Sequence, residues 1–150
     1  MNNTLDKHIK NFRAIFSDDI VKVYNEKTKM EIANAISFDS ENKELTSIDL
    51  FVTSVVSEII LNMKKQAIFN SEILQDVEAK ASCTIKNPLS LLNVIGCEDR
   101  AEIERLKIEI YFYSFMENDT LDTFLDTVKE HSIIYNSVKD IIELDFKQIL

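Results

Sequence analysis

The chain has 150 residues, 45% of them apolar and 29% charged, which is enough for one ordinary core and excludes disorder and collagen-like repeats. It holds one glycine, Gly96, and one proline, Pro88, where average usage gives roughly ten and seven or eight. Glycine-rich phosphate loops are therefore excluded, and hairpins that need glycine lose support. The formal charge of −9 disfavours direct nucleic-acid binding, because a duplex partner requires Lys and Arg to replace counterions. Residues 1–75 carry 9 basic and 11 acidic groups, net −2, and residues 76–150 carry 8 and 15, net −7. The second half makes the field.

In chain order, Thr4 caps a first predicted helix whose apolar face is Leu5, Ile9, Phe12 and Phe16. Ser17 caps a second, with Asp18 and Asp19 in its first turn and Ile20, Val23 and Tyr24 behind. Thr28-x-x-Glu31 then reads as a capping box before Met30, Ala33 and Ile36. These short helices occupy 4–36. A polar loop over 37–46 follows, and the main bundle begins at Ser47. Ile48, Phe51, Val52, Val55, Ile59 and Met63 predict a long central helix to about Phe69. Ser71 opens another helix to Lys86. Pro88 at a first helical position and Gly96 at a left-handed close bound a short helix over 88–95.

The stretch Glu98–Glu117 carries two rhythms. Ile103, Leu106, Ile110 and Tyr113 make a helical stripe, whereas Ile108, Ile110 and Phe112 alternate as in a strand. The strong helix formers of 101–107 favour a helix, and 107–115 stays open between the two. Asp119 caps a further helix bearing Leu121, Phe124, Leu125 and Val128, and Ser132 or Asn136 begins the last, with Val138, Ile141, Ile142, Phe146 and Ile149. The expected fold is all-α: a single compact multi-helix bundle over 1–150 with a long central helix.

Catalytic equipment is sparse. His8 and His131 stand at opposite ends without metal-ligand spacing. Cys83 and Cys97 have no C-x-x-C and read as reduced, packed thiols. Met1–Lys10 lacks an apolar core of a secretory signal. The greasy stretch Ile48–Met63 is interrupted by Asp49 and Glu58 and too short to span a bilayer. A cytoplasmic protein with no membrane partner, no catalytic residue, no metal and no cofactor is expected, its oligomeric state illegible.

Two acidic patterns stand out, Glu98-Asp99-x-x-Glu102 and Asp119-x-x-Asp122. They resemble the carboxylate pairs of the all-α nucleoside triphosphate pyrophosphohydrolases, a resemblance that implies magnesium-dependent hydrolysis. The second pair departs from that family's pattern, with Asp119 in place of Glu. On one continuous helix Asp99 and Asp119 stand about 30 Å apart.

Asp119, Asp122, Asp126 and Glu130 also form a negative stripe along one helix side. With Glu98, Asp99 and Glu102, and with Tyr111 and Tyr113 as border anchors, this stripe predicts a docking face for a basic protein. The profile is that of an immunity or antitoxin protein covering the active site of a basic toxin, such as a nuclease domain. A helical adaptor binding a partner helix in an apolar groove is the alternative from a different class.

Overall fold

The computed structural model describes residues 7–33 and 43–150. Contacts divide the chain into two compact units, residues 1–51 and 52–150. In the first, β1 (Arg13–Ser17), β2 (Ile20–Tyr24) and β3 (Lys29–Ala33) form an antiparallel sheet in the order β1-β2-β3. Among the described residues the helices expected over 4–36 are not formed: 13–33 is three strands with their turns, and 7–12 has no regular structure; Thr4, Leu5 and Ile36 lie outside the described residues. The reason is local. Asp18 and Asp19 both take positive φ, 57° and 64°, and as a two-residue connection they match the right-handed twist of a hairpin. Aspartate tolerates this backbone because its short side chain bonds locally. At the next turn Asn25 Oδ1 accepts the amides of Lys27 and Thr28 at 2.9 and 2.8 Å, an Asx-type turn where Thr28-x-x-Glu31 was expected to cap a helix. Scarcity of glycine thus does not prevent hairpins when Asp18 and Asp19 supply the left-handed positions and Asn25 closes its turn through a side-chain oxygen.

Most of the loop expected over 37–46 falls outside the described residues. At its end the chain enters α1 (Ser47–Phe69), with the bounds the sequence predicts. The Thr46 amide and hydroxyl each donate to Asp49 Oδ2 at 2.8 Å, and the Asp49 amide reaches back to Thr46 Oγ1 at 3.4 Å, a reciprocal capping box. Those two donors hold the Asp49 carboxyl below its ordinary value. A depressed folded-state value contributes stability that is present above the unfolded value, about 3.9, and lost as pH falls through the folded one. Asp49→Ala is therefore expected to cost about 1 kcal/mol at neutral pH. In urea titrations its difference from the parent should shrink as pH drops below about 4.

The second unit joins most of α1 to a three-stranded sheet. The strands β4 (Leu74–Lys86), β5 (Glu102–Ser114) and β6 (Ile142–Ile149) run in the order β4-β5-β6, with β5 antiparallel to β4 and parallel to β6. Parallel neighbours need a crossover, which α2 (Asn118–Glu130) and α3 (Ile133–Val138) provide. On β5 the even positions Leu106, Ile108, Ile110 and Phe112 are wholly buried, the period of two that a strand imposes. From α1 come Val55, Ile59, Met63 and Ala67, one per turn. Together with Leu74, Met116, Phe124 and Val128 they make the core.

The all-α expectation is corrected by these three strands. Ser71–Lys86 is strand from Leu74 onward, the helical choice for Glu98–Glu117 gives way to β5, and the last helix stops at Val138 before β6. Register decides this: Leu106, Ile108 and Ile110 pair with Ile142, Leu144 and Phe146 on one side and with Cys83, Ala81 and Ala79 on the other. Pro88 does open a short helix, a 3-10 turn over Pro88–Leu92, but it closes on left-handed Asn93 rather than Gly96, whose φ is +85°. No helix among the described residues is long and apolar enough to cross a membrane.

Candidate functional site

The second unit carries a cleft between α1 and α2, about 930 Å³, within the range of small-molecule sites. Three side chains set it up. Glu58 on α1 accepts the amides of Ile134 and Tyr135 at 2.8 and 3.3 Å. Four residues on, Asn62 donates to the His131 carbonyl at 3.1 Å and to Ser132 Oγ at 3.0 Å. Ser132 is wholly buried and donates its own hydroxyl to the Val128 carbonyl at 2.8 Å. These contacts tie α1 to the junction of α2 and α3 and to the first turn of α3.

One face of α1, Asn62, Lys65, Gln66 and Phe69, forms a wall at helical spacing. Opposite stand Met116, Asp119, Thr120, Thr123, Phe124, Thr127 and His131. Thr123 and Thr127 donate their hydroxyls to the carbonyls four residues back, at 3.0 and 2.8 Å, so each oxygen keeps acceptor capacity. His131 Nδ1 lies 2.8 Å from the Thr127 carbonyl. A carbonyl only accepts, so Nδ1 carries the proton and Nε2 of the neutral ring is the acceptor. Sequence reasoning placed His131 at a helix end but missed its part in a cleft.

The residues singled out for docking fall into separate places. Glu98 and Asp99 lie exposed before β5, and Glu102 at its start faces Lys86 at 3.8 Å. Asp119, Asp122, Asp126 and Glu130 are exposed along α2, with Asp126 3.5 Å from Lys129. Glu102 begins the 13-residue β5 and Asp119 stands beyond its opposite end, about 40 Å at roughly 3.3 Å per residue, so the two carboxylate pairs they belong to share no metal ion. Of these acids only Asp119 lines the α1–α2 cleft, and with Tyr113 it also borders a second hollow beside Gln148.

Tyr111 lies on the other side of β5 from the core, with Lys80 and Lys147 each 5.2 Å from its ring centre. Lys147 donates to Glu109 at 2.6 Å, which raises the ammonium and lowers the carboxyl from their ordinary values. Tyr113 meets Phe115 edge to face at 5.0 Å.

Both cysteines are free. Cys83 stands on β4 opposite Leu106, where burial pushes its thiol up. Cys97 follows the 3-10 turn and donates its amide to Val94. Neither lines the cleft. Among the described residues no group of three or more His, Cys, Asp or Glu is placed to hold a metal ion.

The sequence matches no protein-family model and no curated protein. Solved structures do match. An OsmC-like protein from Mycoplasma pneumoniae superposes with a TM-score of 0.71 at 8% identity, covering 97% of this chain and 98% of that one. The fold is OsmC-like. An organic hydroperoxide resistance protein from Elizabethkingia anophelis gives 0.66 at 8% identity, over 95% and 96% of the two chains. An organic hydroperoxide resistance OsmC protein from Legionella pneumophila gives 0.62 at 11%, over 95% and 98%. At such identities the likeness shows the fold alone. The OsmC fold overturns the reading of an all-helical immunity or antitoxin protein. The helical adaptor and the all-α pyrophosphohydrolase fall with it, since each needs a bundle that β4, β5 and β6 exclude.

Proposed function

We propose that this chain is a stress-response protein of the OsmC fold that holds an organic molecule of the hydroperoxide class in the α1–α2 cleft, without thiol turnover there. Support for the class comes from neighbours named for organic hydroperoxide resistance that share the fold over nearly their whole length. Cleft size and lining agree with such a guest: Phe69, Met116 and Phe124 supply apolar area, and threonine hydroxyls with Lys65 and His131 supply polar contacts. The observation that carries the non-thiol half is the absence of both cysteines from the lining. Reduction of a peroxide by a thiol requires the thiolate as nucleophile, and burial works against that form at Cys83.

The purified chain, given a dithiol reductant and cumene hydroperoxide, is expected to consume peroxide no faster than its Cys83→Ser/Cys97→Ser variant. Both should bind cumyl alcohol saturably, by calorimetry. Turnover well above the reductant blank that disappears in the double variant would overturn the proposal.

A further inference from the structure

The two ends of the cleft differ in chemistry. At one end His131 offers Nε2, its Nδ1 being committed to the Thr127 carbonyl, and Lys65 extends from α1 with no hydrogen bond or ion pair to other described residues. At the other end stand the carboxylates of Asp119 and Glu72. Asp119 and His131 are twelve residues apart on α2, about 18 Å at 1.5 Å per residue. Phe69, Phe124 and Met116 supply the apolar part of the lining. An elongated guest therefore meets a donor and an acceptor at one end and negative charge at the other.

We infer that the cleft binds its guest in one direction, with a protic oxygen head at the Lys65 and His131 end, and that His131 is the residue that reads the O–H. This rests on the cleft being the binding site. The Lys65 ammonium has donors only, so it bonds the oxygen lone pairs of an alcohol and an ether alike. With Nδ1–H pinned to the Thr127 carbonyl, the uncharged imidazole has only an acceptor at Nε2, so it bonds an O–H and finds nothing in an ether. A site with an acceptor placed for a hydroxyl penalises the analogue that lacks the proton, since the acceptor is left without a partner. Asp119 and Glu72 repel an anionic head from the opposite end.

The test uses the full chain with 1-octanol and its methyl ether as probes, read by displacement of an environment-sensitive fluorophore. Wild type is expected to bind the alcohol about tenfold tighter than the ether, the worth of one hydrogen bond. His131→Phe should remove that preference, and His131→Gln, which restores an acceptor, should recover most of it. Lys65→Met should weaken both probes by a similar factor and leave their ratio unchanged. His131 is exposed, so the variants are expected to keep the parent's melting curve. Equal affinity for the two probes in wild type, or an unchanged ratio in His131→Phe, overturns the inference while leaving the cleft as the site. Binding of neither probe overturns the cleft reading as well.

Discussion

Phe112→Ala is expected to lower the unfolding free energy by about 3–5 kcal/mol, while Tyr113→Ala, one residue on, should cost only about 1 kcal/mol. Phe112 is wholly buried, so truncation removes transfer free energy and leaves a cavity that close-packed neighbours fill only in part. Tyr113 points to the other face of β5 and loses an edge-to-face contact with Phe115 and partial burial. A helix through this stretch would instead bury Tyr113 with Leu106 and Ile110. The pair of substitutions, measured by urea unfolding, therefore tests the strand directly, and a larger loss at Tyr113 than at Phe112 would refute the register.

Glu58→Ala is the second large effect, expected at about 1.5–3 kcal/mol because hydrogen bonds to a charged group are lost and two partly buried amide donors are left behind. The start of α3 explains why. Its N-cap, Ser132, gives no side-chain cap, since Ser132 Oγ donates instead to Val128. Glu58 on α1 supplies the missing acceptor to the Ile134 and Tyr135 amides. Glu58→Gln keeps an acceptor oxygen, so thermal melts should show a loss of about half as much. The contact ties α1, one wall of the cleft, to the start of α3 just beyond His131, so Glu58→Ala should weaken cumyl alcohol binding along with stability.

Elements whose causes are local were legible in the sequence. α1 runs over its predicted span because Thr46 and Asp49 cap it and its apolar positions recur at helical spacing. α2 appears where Phe124 and Val128 mark a buried face. The Asp18-Asp19 hairpin was also local, yet it was misread, because aspartates in a helix's first turn and aspartates in a two-residue turn look alike until φ is known. Of the site, Asp119 and His131 were noticed, each for another reason. Lys65, Gln66, Thr123 and Thr127 were not, since polar residues on an exposed helical face carry no mark of the cleft they border.

By itself the sequence determined the acidic balance, the helices α1 and α2, and the restart at Pro88, all of which follow from composition or from patterns within a few residues. Tertiary structure alone decided that 102–114 is a strand. Leu106 and Ile110 fit either periodicity, and the choice falls to partners at Cys83 and Ala79 and at Ile142 and Phe146, more than twenty residues away on each side. The cleft has the same origin, because Asn62 and His131 meet across 69 positions of chain. Hydrogen-bonded pairing and burial at that range leave no local trace for periodicity to report.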